Sequence, residues 1–168
     1  MTMECVHCLK DPTLHSFTKI GVWKQYHVFY TSFLNVKEYS PPQTIIDHMS
    51  AALDPLQNEP WVWVLDCQHF SVKHASKAPY FTGLIQLFKE RYSKSLHFVY
   101  IINGSSLLQG TIGLVMPLFE KGVVDILRYM RGSPLEMTRQ FEAQGWSLRE
   151  IRPILDRVLA NQSKESST

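Results

Sequence analysis

Residues 61–66 read Trp-Val-Trp-Val-Leu-Asp, and residues 96–104 read Leu-His-Phe-Val-Tyr-Ile-Ile-Asn-Gly. Both runs are of strand length and apolar without strict alternation, the pattern of a strand covered on both faces. Each stops on polar residues, Asp66 in the first and Asn103-Gly104 in the second. Between them Pro79 opens a helical pattern carrying Tyr80, Phe81, Leu84, Ile85, Leu87 and Phe88. Ahead of them Ile45, Ile46, Met49, Ala52, Leu53 and Leu56 recur at helical spacing, with Pro55 and Pro60 marking the exit. After them helical spacing returns at Leu107, Leu108, Ile112, Val115 and Met116, and a short strand is expected over 126–129. Strands alternating with helices of this length predict an α/β domain, a mixed and mostly parallel sheet covered by helices.

Working outward, residues 14–20 read as a first strand, and the aromatic, β-branched run from Val22 to Leu34 reads as a second. Ser133-Pro134-Leu135-Glu136 and Ser147-Leu148-Arg149-Glu150 both place Glu three residues after Ser. At that spacing hydroxyl and carboxylate satisfy free backbone N–H groups reciprocally, so two helices are expected to start there. Gly145-Trp146 between them reads as a helix stop followed by a staple residue. The expected organisation is an N-terminal extension over 1–14, one α/β domain over 15–160 and a polar, fraying tail over 161–168.

The chain has 168 residues, 45% of them hydrophobic and 19% charged, enough for a sizeable core and against wholesale disorder. Its formal net charge of +2 gives no support to nucleic-acid binding, and no nucleic-acid partner is expected. Residues 1–60 hold 4 basic and 6 acidic side chains and residues 61–168 hold 13 and 9, so the later part is the one suited to an anionic surface. No run approaches the roughly 20 apolar residues of a membrane helix, and no apolar signal core follows the N-terminus. Three cysteines cannot make a secreted disulfide framework. A cytoplasmic location is expected.

The order from Leu65 to Phe119 resembles the CRAL-TRIO, or Sec14-like, lipid-binding domain. The resemblance is carried by a buried strand ending in Asp66, a helix running into Arg91-Tyr92-Ser93-Lys94-Ser95-Leu96, a strand closed by Asn103, and Met116-Pro117-Leu118-Phe119. Leu53-Asp54-Pro55 upstream is similar to a helix exit of the divergent branch found beside Rho GTPase-activating domains and in BNIP2-type homology proteins. The similarity spans roughly residues 14–130. Three features depart from the family pattern. Met116 stands where the family places a lysine, the helical domain preceding the family's lipid-binding domain has no counterpart here, and the usual Leu-Pro and Gly-Gly ending is missing.

The resemblance implies non-catalytic binding of a lipid or other hydrophobic molecule between the sheet and gate helices. Trp63, Phe98, Tyr100, Leu107, Leu108, Ile112, Val115 and Phe119 are the expected pocket, with Trp61 and Ile126 beside it. Lys89, Arg91, Lys94, Lys121 and Arg128 are the expected contacts to headgroups or to a membrane surface touched peripherally. The alternative is a scaffold with a filled pocket that docks a partner such as a small GTPase or pairs with itself. No enzyme signature is present: Asn103-Gly104-Ser105-Ser106 lacks the second glycine of a nucleophile elbow, and no phosphate-binding glycine loop occurs. Asp66, with His69 and His74 nearby, is the least poor catalytic constellation, and no catalytic residue is expected. Cys5-Val6-His7-Cys8 with His15 has the spacing of half a zinc site. A fourth ligand would have to come from Cys67 or His69, and the expectation is no metal and no cofactor.

Overall fold

The computed structural model describes residues 5–10, 15–34, 42–76, 83–84, 86–118 and 121–165. A short helix α1 (Val6–Lys10) precedes strands β1 (Thr18–Trp23) and β2 (Tyr26–Ser32). Helix α2 (Pro42–Leu53) runs into a 3₁₀ turn at Asp54–Leu56, then β3 (Trp61–Asp66) and a single helical turn α3 (Val72–Ala75). Next come a π-wound segment labelled α4 (Phe88–Tyr92), β4 (Leu96–Ile102), α5 (Ser106–Val115) and α6 (Lys121–Asp125). Strand β5 (Leu127–Met130) and helices α7 (Pro134–Ala143) and α8 (Leu148–Glu165) complete the described chain.

The strands lie side by side in chain order, β1 antiparallel to β2 and the others parallel. Moving one place across the sheet at each right-handed crossover puts every crossover on the same face. One face therefore carries Phe29, Trp61, Trp63, Val99 and Ile101 beneath α2, Leu84, Leu87, α4 and α5. The opposite face carries Val28, Tyr30, Val62, Val64, Tyr100 and Ile102, covered by α7 and α8. Both faces of β3 are buried, as its unbroken apolar run predicts.

Four boundaries differ from the sequence reading. The first strand, expected over 14–20, starts at Thr18 and runs on to Trp23. The run from Val22 to Leu34 is not one strand: it turns at Lys24-Gln25 to make the β1–β2 hairpin, with Lys24 at φ +52°. A lysine in the left-handed region carries none of the Gly or Asn signals by which such turns are read. Strand β5 sits one residue later than expected, at Leu127–Met130. The expected fraying tail at 161–168 is corrected over 161–165, where α8 continues through Glu165 and Asn161 is buried; residues 166–168 lie outside the described residues. The reciprocal cap forms at Ser133, whose Oγ accepts from Glu136 N–H at 3.4 Å while its N–H donates to the Glu136 carboxylate at 2.7 Å; at Ser147 the carboxylate half forms, Ser147 N–H donating to Glu150 at 2.8 Å and Ser147 Oγ donating to the same carboxylate at 2.7 Å. Gly145, at φ +88°, turns the chain between them so that Trp146 stacks on Trp23 with ring centroids 4.5 Å apart.

Candidate functional site

The face beneath α5 is the one with the chemistry of a hydrophobic site. Its floor is aromatic: Phe17 and Phe29 stack at 4.7 Å, and Trp61 and Trp63 stand beside Phe88 at 6.1 and 5.4 Å. Both indole N–H groups are satisfied internally, Trp63 donating to Thr31 Oγ1 at 2.9 Å and Trp61 to Ser95 Oγ at 3.2 Å. Over this floor lies α5, Ser-Leu-Leu-Gln-Gly-Thr-Ile-Gly-Leu-Val, which has no charged residue. Ser105 caps it by accepting from Leu108 N–H. Leu108 is buried and Ile112 packs against the same cluster, while Leu107 and Leu114 point outward, Leu114 being 81% exposed.

The expected pocket residues divide between the two faces. Trp63, Leu108 and Ile112 share the α5 face. Phe98 and Tyr100 belong to the opposite one, with Tyr100 fully buried against Phe141 and Trp146 and its hydroxyl accepting from Trp146 Nε1. The cause is strand parity: Trp63 pairs with Val99 and Val64 with Tyr100, so Trp63 and Tyr100 cannot face one cavity. Leu107 lies on the outer side of α5, Ile126 packs against the α5-face cluster, and the side chain of Val115 and residue Phe119 lie outside the described residues.

Among the expected cations, Arg91 already has a partner. Its guanidinium meets both Asp54 carboxylate oxygens at 2.8 Å, and Tyr92 donates to the same carboxylate at 2.6 Å. The Leu53-Asp54-Pro55 and Arg91-Tyr92 motifs thus meet in space, tying the exit of α2 to α4. Burial, and the hydrogen bond to Asp54, push the Tyr92 hydroxyl up to about 12. Arg128 donates to the carbonyls of Asp125 and Leu127 and stands over the Phe98 ring at 5.0 Å. Lys89 and Lys94 are exposed, and the Lys121 side chain lies outside the described residues.

Asp66, the least poor catalytic candidate, is fully buried and accepts from every side: Tyr30 Oη at 2.7 Å, Asn103 Nδ2 at 2.9 Å, Asn161 Nδ2 at 3.2 Å and Gln68 N–H at 3.2 Å. A carboxylate so enclosed joins β2, β3, the end of β4 and α8. It is a structural tether.

The profile of the family described as "Divergent CRAL/TRIO domain" matches residues 26–146, most of the chain. The protein belongs to that family. Among solved structures, one titled "Crystal structure of Sfh5" superposes with a TM-score of 0.62 at 11% identity, covering 76% of this chain and 51% of that one. That likeness shows the fold, and this chain spans about half the length of the Sfh5 chain. No curated protein matches it.

One constellation in this divergent CRAL/TRIO chain was only half legible. Cys67 does not join Cys5, Cys8 and His15: it is buried at the end of β3, where burial and then the Asp66 charge push its thiol far up. His48 of α2 takes that place, with Cys8 Sγ 3.3 Å from His48 Nδ1 and 3.4 Å from His15 Nδ1. Burial, then the neighbouring His48 and His7, hold His15 down at about 4, and burial also lowers His48. The signal for His48 was weak because it follows Cys8 by 40 residues, at no spacing that marks a ligand pair.

Proposed function

We propose that this divergent CRAL/TRIO domain binds a lipid or similar hydrophobic molecule non-catalytically, between the aromatic face of the sheet and α5. The observation that carries the reading is α5 itself. A helix without a charged residue that faces a packed sheet on one side and water on the other is poorly suited to be a plain surface helix, which normally turns a polar face outward. It suits a cover that exchanges water for ligand or membrane. Burial of a methylene contributes ~0.8 kcal/mol. About ten methylenes therefore match the ~8 kcal/mol of micromolar affinity, with few polar anchors needed. Trp63, Leu108 and Ile112 are the contacts assigned to the ligand, with Val115 and Phe119 following on the same segment. Lys89, Lys94 and Lys121 are the cations assigned to a headgroup or anionic bilayer, at ~1 kcal/mol each near such a surface.

The test is titration with a fluorescent acyl-chain phospholipid delivered from vesicles, followed by competition with unlabelled lipid. Saturable binding at one site per chain is expected. Leu108→Trp, and Ile112→Trp at a half-buried position where overpacking is milder, should weaken it at least tenfold, while Tyr100→Phe on the other face should not. Binding unchanged by both tryptophan variants, or no saturable binding, would leave the fold as a protein-docking scaffold.

A further inference from the structure

Helix α1 poses a question of what holds it. It has five residues, none of them buried, and a helix that short is marginal in water without tertiary support. What the helix and Cys5 just before it present to the domain is sulfur. Cys5 and Cys8, one helical turn apart, meet His15 from the approach to β1 and His48 from α2, and all four ligand atoms lie within 4.8 Å of one another. We infer that Cys5, Cys8, His15 and His48 form a four-ligand zinc site that fastens the N-terminal segment to α2.

The geometry fits the ion. Zn–S bonds of about 2.3 Å and Zn–N bonds of about 2.0–2.1 Å in a tetrahedron set sulfur and nitrogen about 3.5 Å apart. Three of the four sulfur–nitrogen separations are 3.7, 3.4 and 3.3 Å, all to Nδ1 atoms, and the fourth, between Cys5 and His48, lies within 4.8 Å. The outer nitrogens are also placed as ligating imidazoles require. His48 Nε2 lies 3.0 Å from the Phe17 carbonyl oxygen and His15 Nε2 lies 3.2 Å from Thr44 Oγ1. Donating Nε2–H outward fixes each ring in the tautomer whose Nδ1 lone pair faces the centre. Binding releases one proton from each thiol. Two thiolates then cancel the charge of Zn²⁺, so a half-buried site takes on no net charge. Four protein ligands leave no open position, which makes the site structural rather than catalytic. Two thiolates with two imidazoles favour zinc over the oxygen-seeking magnesium and calcium. The site is independent of the lipid-binding reading.

The 168-residue chain, purified under reducing conditions without chelator, is to be assayed for zinc by elemental analysis and native mass spectrometry. One zinc per chain is expected. Replacement by Co²⁺ should give the intense visible bands of a tetrahedral ion and the ultraviolet charge-transfer band of thiolate ligation. Cys8→Ser and His48→Gln should abolish stoichiometric zinc, and Thr44→Val should weaken binding about tenfold while keeping the cobalt spectrum. Cys67→Ser should leave zinc content unchanged. The wild-type cobalt spectrum keeps the test decisive even where a ligand variant misfolds. A metal-free protein that stays cobalt-silent when reduced, zinc retained in both ligand variants, or a Cys5–Cys8 disulfide under the same reducing conditions would overturn the site.

Discussion

Asp66 and Asn161 centre a buried polar network inside the domain. Asn161 Nδ2 reaches Asp66, Ser32 Oγ and Tyr30 Oη at 3.1–3.3 Å, so the last helix is hydrogen-bonded to β2 and β3 through one amide. Hydrogen bonds to a charged acceptor contribute about 1.5–3 kcal/mol, and a buried acceptor that loses its donor is destabilised by a similar amount. Asn161→Ala should therefore lower stability in urea unfolding by about 2 kcal/mol. Leu159→Ala, at a half-exposed position, should stay within about 0.5 kcal/mol. The capping glutamates give a pH dependence. Donation from the backbone N–H groups of Ser133 and Ser147 holds Glu136 and Glu150 below the ordinary glutamate range. A carboxyl group with a depressed folded value adds stability that is complete above its unfolded value and is lost as pH falls through the folded one. Acid titration followed by circular dichroism should show helix loss below the usual glutamate range, and Glu136→Gln with Glu150→Gln should flatten that limb.

At the scale of elements, α5 is the part whose stability the lipid reading constrains. Gly110 and Gly113 lie in its middle, and a Cβ at either would meet nothing within 4 Å. Packing does not require them, yet each costs a helix about 0.8–1 kcal/mol relative to alanine. On the lipid-binding proposal they serve to keep that cover loose. Gly110→Ala with Gly113→Ala should raise the unfolding midpoint while slowing release of a fluorescent lipid severalfold in stopped-flow measurements. Elements with local causes were legible in the sequence. The apolar run of β3 and the Ser-to-Glu spacings of α7 and α8 need only their own residues to be read. What depends on partners was not legible: the turn at Lys24 is imposed by pairing of β1 with β2, and the separation of Trp63 from Tyr100 follows from the β3–β4 register. Because β3 and β4 are apolar on both faces, neither strand announces which of its residues look toward α5.

The whole molecule is a sheet sealed on one face by α7 and α8 and covered on the other by α2, α4 and α5, with the N-terminal segment bound at α2. The zinc site predicts that this attachment contributes to global stability. Zinc at about 100 times its dissociation constant should stabilise the fold by about 2.7 kcal/mol. Chelation should lower the melting temperature of the wild type and leave Cys8→Ser unmoved in calorimetry. The family membership and the charge-free α5 converge on one further claim, that the α5 face holds a hydrophobic ligand. The most direct measurement is native mass spectrometry of the purified chain after incubation with mixed lipid vesicles, with organic extraction to identify what adheres. One lipid bound per chain, lost in Ile112→Trp, is expected. A chain that emerges with no lipid adduct, or whose adduct survives that substitution, would contradict it.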